Sequence, residues 1–171
     1  MSDAGPSAQG SPFWRFSLQF YRLPKVADAC ITLQEEVGVD VNLLLFLLWH
    51  ARQRRRLSPA GVAALEGKIG PWRDITVIPL RSVRRALKSP PALVEASTAE
   101  AFRNRIKAVE LEAERLQQEA MYALAPLGTE VSGLEEAARG NVTAYQEMLG
   151  VRFPQAATET LMAAFASMPA E

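Results

Sequence analysis

Asp40-Val41-Asn42-Leu43-Leu44-Leu45-Phe46-Leu47-Leu48-Trp49 is the stretch that decides the fold. From Leu43 to Trp49 every side chain is apolar, so no face of a helix built from it could meet water. The run ends at Arg52 and is about half the ~20 residues that a bilayer span needs. It therefore predicts a central buried helix over residues 41–55 rather than a membrane span. Asp40 is placed to cap it, and Asn42 stands in its first turn.

The flanks carry helix punctuation. Ser11-Pro12 and Ser58-Pro59 repeat a cap-then-proline signature, and Gly38 reads as the glycine that ends a helix begun near Pro24. Phe13, Trp14, Phe16, Phe20 and Tyr21 crowd the first helix. Gly70-Pro71 is expected to stop the helix that Ser58 starts. A helical turn near 71–77 and a helix from Pro79 to Lys88 should follow. Ile75–Ile78 is β-branched enough for a strand, but no second strand is expected to pair with it.

Ser97 with Glu100 has capping-box spacing and opens a long helix over 98–124. Phe102, Ile106, Val109, Ala113, Leu116, Ala120 and Ala123 form a heptad seam along it. Leu111 and Met121 lie off the seam. Two further helices are expected near 133–149 and 156–167. The chain thus reads as all-α, a compact irregular bundle of about seven helices. A disordered tail at 1–10 precedes a single helical domain at 11–171.

The 19 basic and 19 acidic residues cancel, but unevenly. Residues 51–88 hold ten Lys or Arg against Glu66 and Asp74, a local excess of +8. The N-terminus has neither the basic nor the apolar region of a secretory signal, so a soluble cytoplasmic protein is expected. Cys30, the single cysteine, excludes an internal disulfide, and its apolar surroundings read as a buried small hydrophobe.

A set of short patterns is shared with a known group. Phe13-Trp14-x-Phe16-Ser17-Leu18-x-x-Tyr21, Cys30-x-x-Leu33-Gln34 and Asp40-Val41-Asn42-Leu43-Leu44-Leu45-Phe46 are three of them. Pro79-Leu80-Arg81-x-x-Arg84-Arg85-x-Leu87-Lys88 and Glu110-Leu111-x-Ala113-Glu114 complete the set. Together they resemble a small bacterial, all-helical family of unknown function, over about Pro12 to Met121. The resemblance implies a compact helical protein and no particular activity. It divides the domain into a family-like core at 11–125 and a C-terminal helical extension at 126–171.

Arg81, Arg84, Arg85 and Lys88 stand at i, i+3, i+4 and i+7, so one helical face is cationic, with Leu80, Val83 and Leu87 forming the opposite stripe. Two main readings are open: neutralisation by Glu110 and Glu114 on the long helix, or an outward face that binds an acidic protein segment or helix, or phosphate. Nucleic-acid backbone is a weaker third, since no reader motif accompanies the charge. Arg52, Arg54, Arg55 and Arg56 suit the negative end of the central helix and could enlarge the face.

The long helix could pair inside the chain or with a second copy as a homodimer. Catalytic signals are thin. His50 is the sole histidine, no Gly-rich phosphate loop is present, and no catalytic residue, metal site or cofactor is assigned. The functional expectation is a non-enzymatic adaptor or regulator using the basic face. The alternative is a helical enzyme or carrier with an apolar pocket lined by Trp14, Tyr21, Asn42 and Trp49.

Overall fold

The computed structural model describes residues 10–169, so the tail expected at 1–10 lies, apart from Gly10, outside the described residues. The elements are α1 (Pro12–Tyr21), α2 (Val26–Val37), α3 (Val41–Arg52), β1 (Arg55–Arg56) and α4 (Pro59–Trp72). A π-helical turn (Arg73–Val77) leads into α5 (Ile78–Ala86). Then come α6 (Ala96–Tyr122), β2 (Thr129–Glu130), α7 (Leu134–Leu149) and α8 (Gln155–Ser167). Because α4, the π turn and α5 run on without a break, the described residues make seven helical rods and one two-stranded sheet. None of these helices is long and apolar enough to cross a membrane.

The caps sit where the sequence puts them. Ser11 accepts from Trp14 N–H, Asp40 from Asn42 and Leu43 N–H, and Ser58 from Gly61 N–H. Each satisfies a donor that the first helical turn leaves unpaired. Gly38 closes α2 at φ 73°, a conformation open to glycine at little cost.

α3 is the centre. Every residue from Asn42 to Ala51 is buried. Phe13, Phe16 and Phe20 of α1 cover it on one side, and Phe13 meets Phe46 edge-on at 4.8 Å. On another side lies α7, whose small Ala137, Ala138 and Ala144 let the two helices approach closely. Leu57, Leu65, Met121, Leu161 and Phe165 close the remaining sides.

Four expectations need correction. The central helix stops at Arg52, not at 55. Arg54 turns left-handed at φ 55°, and Arg55 and Arg56 pair antiparallel with Glu130 and Thr129. The buried Asn141 side chain holds that turn. It donates to Leu47 O (2.8 Å) and Arg55 O (3.0 Å) and accepts from Leu57 N–H (2.8 Å). These bonds come from 84 or more residues away, so local pattern could not show them.

Gly70-Pro71 does not end α4. Pro71 lies inside the helix, and the wider π turn that follows carries the backbone onward, Ile78 N–H reaching Arg73 O. The long helix begins with Glu95 as its cap, accepting from Ser97 N–H, rather than with a Ser97–Glu100 box. A strand pair exists, though not at Ile75–Ile78.

His50 is fully buried, with Nδ1 3.0 Å from Phe46 O and Nε2 3.1 Å from Leu127 N. Only the neutral ring protonated at Nδ1 satisfies both partners. Burial lowers its pKa to about 4, with the Phe46 bond opposing and Arg55 assisting. The unfolded chain would titrate near 6.5, so between there and about pH 4 the unfolded state binds the extra proton. Stability should therefore fall with pH across that window, by on the order of 3 kcal/mol in all from this group. Urea titrations from pH 7.5 to 4.5 should show the fall, and His50→Gln should flatten it. An imidazole NMR resonance titrating near 6.5 would contradict this role.

Candidate functional site

α5 and α6 form an antiparallel hairpin. Its polar contacts run in opposite senses, Arg81 with Glu114 and the Arg84 carbonyl with the Arg103 guanidinium. More fully, Arg103 Nε donates to Arg84 O at 3.2 Å, while Arg81 donates to Glu110 (3.2 Å) and Glu114 (3.1 Å). Arg84 grips both oxygens of Glu110. Arg85 makes a looser pair with Glu35 at 3.3 Å, both half-exposed, and Lys88 is exposed.

The partner-binding face expected from Arg81, Arg84, Arg85 and Lys88 is thus corrected for its centre. Arg81 and Arg84 point into the groove between the helices, where the Glu110 side chain is 8% exposed. A carboxylate so far from water needs cations beside it, and two forked guanidinium groups supply them. Burial pushes the Glu110 pKa up, but the bonds and charge of Arg84 and then Arg81 outweigh it, leaving it below its ordinary value. Glu114 is raised by burial, against the pull of Arg81. Arg55 is engaged elsewhere, and Arg54 is exposed in the left-handed turn before it. Arg55 spends its guanidinium on Leu127 O (2.7 Å) and Gly128 O (2.6 Å), at the far end of the bundle's sheet.

With charge inside, apolar surface is left outside. α5 has no fully buried residue, and Ile78 and Val83 are exposed. Ten of the fourteen exposed large hydrophobics among the described residues fall between Trp72 and Leu116: Trp72, Ile75, Ile78, Val83, Leu93, Val94, Phe102, Val109, Leu111 and Leu116. The expected seam splits accordingly. Ala113 is buried and Ile106 half-buried, whereas Phe102, Val109 and Leu116 are 46%, 48% and 45% exposed. The buried residues of α6 are Ala99, Glu110, Ala113, Gln117, Gln118 and Met121. Sequence reading found the seam and took the wrong edge of it as buried.

The hairpin is fastened to the body by a buried polar hub. One Asp40 oxygen caps α3, while the other accepts from Arg73 (3.2 Å) and Gln117 (3.1 Å). Asp40 N–H donates to Tyr145 Oη at 2.9 Å. Arg73, at the start of the π turn, also donates twice to Glu66, at 3.0 and 2.6 Å. That bond first of all, with the Asp40 charge assisting and burial opposing, raises the Arg73 pKa. Gln118 donates to Asn42 Oδ1 at 2.8 Å, and Trp72 Nε1 to Ala113 O at 3.0 Å. Sequence reading missed Arg73, Gln117, Gln118 and Tyr145. The one visible signal was a pair of glutamines beside an apolar seam.

Trp14, Tyr21, Asn42 and Trp49 do not converge on a pocket. The Asn42 carbonyl is taken by Gln118, Trp49 lies among Phe13, Phe46 and Tyr122, and Tyr21 is exposed on α1. A cleft of about 300 Å³ lies elsewhere, between α4 and the turn after α6, floored by Leu57, Leu65, Leu124 and Leu127. Cys30 is buried, and burial pushes its thiol up to about 12. It has no reactive thiolate near neutral pH.

An all-helical bundle around an apolar α3, with an ion-paired α5–α6 hairpin on one side, is the class that the geometry defines. The chain belongs to the family described as Protein of unknown function (DUF2390), matched over residues 12–121. That span runs from α1 to the penultimate residue of α6 and so includes the hairpin and most of the hub. No curated protein and no solved structure matches the chain.

Glu110→Gln would leave two guanidinium groups with Glu114 alone, and should cost on the order of 3 kcal/mol in urea denaturation. Glu35→Gln, at an exposed pair, should cost less than about 1 kcal/mol. Equal small losses would contradict the ranking.

Proposed function

We propose that this protein is a non-enzymatic interaction module that docks an amphipathic helix on the apolar outside of its α5–α6 hairpin. The observation that carries this reading is the inversion of the hairpin. Its arginines and glutamates face each other, while isoleucine, valine, leucine and phenylalanine face out. Exposed apolar patches of this kind mark contact surfaces, whereas scattered single residues do not. Covering the exposed half of Phe102, Val109 and Leu116 would gain about 1 kcal/mol each. Helix-in-groove recognition uses anchors of this type and spacing.

Basic side chains stand at the rim of this surface. Lys88, Arg105, Lys107 and Arg115 have no ion pair among the described residues, so a partner with carboxylates flanking its apolar stripe suits the surface. The groups that could do chemistry are otherwise engaged. His50 is a neutral strut, Cys30 is a buried thiol, and Asp40 and Glu110 are ion-paired.

Photo-crosslinking residues placed at Phe102 and Leu116 in living cells test the reading. Discrete adducts are expected at both positions and not at Thr143 of α7, which is exposed elsewhere. Absence of adducts at Phe102 and Leu116 would contradict it.

A further inference from the structure

We infer that the docked helix is α6 of a second copy of this chain, running antiparallel across a two-fold axis. The inference rests on the docking reading above and deepens it. Its starting point is a seven-residue repeat on the exposed side of α6: Ala101-Phe102-x-x-Arg105, Ala108-Val109-x-x-Glu112, Arg115-Leu116-x-x-Glu119. Residues seven apart, or three apart, share a helix face. Ala101, Phe102, Arg105, Ala108, Val109, Glu112, Arg115 and Leu116 are all exposed. They form one strip about 24 Å long, at 1.5 Å per residue.

The charges on that strip are self-complementary in one orientation only. Arg105 and Glu112 are one repeat apart, opposite in sign, and neither has an ion pair among the described residues. A two-fold axis crossing α6 between Ala108 and Val109 sets Arg105 of each copy against Glu112 of the other, so both pairs form at once. A parallel arrangement would set Arg105 against Arg105 and Glu112 against Glu112.

The same axis sets Val109 against Val109 and Phe102 close to Leu116 of the second copy. Ala108 meets Ala108 on the other edge, where the small side chain lets the helices approach. A contact made by one surface with itself closes on two copies and leaves no free edge. Glu119 ends the strip, because its carboxylate accepts from Ser11 N–H at 2.9 Å within the chain. A single helix pair of this length is below the usual size of a stable interface, so a dissociation constant in the micromolar range is expected.

Sedimentation equilibrium of the full chain from about 1 to 500 μM tests the inference, with circular dichroism to confirm folding of each variant. A monomer–dimer equilibrium is expected. Arg105→Glu and Glu112→Arg should each weaken it by about tenfold or more, and the two together should restore it to within about threefold. Phe102→Asp should abolish it. A monomer at every concentration, or a dimer indifferent to these changes, would overturn self-pairing. A monomer in the centrifuge with cross-links from Phe102 to a different polypeptide would leave the docking reading standing. A monomer with no cross-links would remove both.

Discussion

The carboxylate of Glu110, held between α5 and α6, decides which side of both helices meets water. α5 could turn either Arg81-Arg84 or Val83 toward its neighbour, with Leu80 and Leu87 half-buried at the edge. The anion on α6 selects the first. Two guanidinium groups converge on it, and an isolated carboxylate at that depth would be costly. Once the arginines turn in, Val83 and the isoleucines before it must turn out. The apolar exterior is thus a consequence of an ionic interior.

That choice matters because the hairpin is not free to roll. Arg73 ties the π turn to Asp40 and Glu66, and Gln117 ties α6 to the same Asp40 carboxylate. Asp40 in turn caps α3, the most deeply buried helix. A single side chain therefore fixes the start of the central helix and the bearing of the hairpin relative to it. The body behind is an ordinary apolar core, and its order is what allows an unusual surface to persist in front.

Much of this was legible in the sequence. The caps at Ser11, Asp40 and Ser58 and the stop at Gly38 depend on neighbours within a few residues, so pattern alone found them. The apolar run from Leu43 to Trp49 could only be central. Long-range polar bonds were not legible. Asn141 reaches back to Leu47 and Arg55 to make a turn where a helix was expected, and Pro71 sits in a helix that a π turn rescues. The seam on α6 was visible as a period of seven, but periodicity cannot say which edge of a stripe is covered. The partners of Arg81 were visible too, as one of two readings. Deciding between them required the depth of Glu110, a property of the folded chain.

Thiol accessibility on α5 tests the inside-out hairpin most directly. Val83→Cys on α5 and Val77→Cys at the end of the π turn before it are the same change at an exposed and a buried valine, and native Cys30, buried with a raised pKa, adds little background. With dilute protein at pH 8, Val83→Cys should react with a disulfide reagent within about tenfold of the denatured rate, and Val77→Cys at least ~1,000-fold more slowly. Protection of Val83→Cys equal to that of Val77→Cys would mean that α5 buries its apolar stripe, and the account would fail.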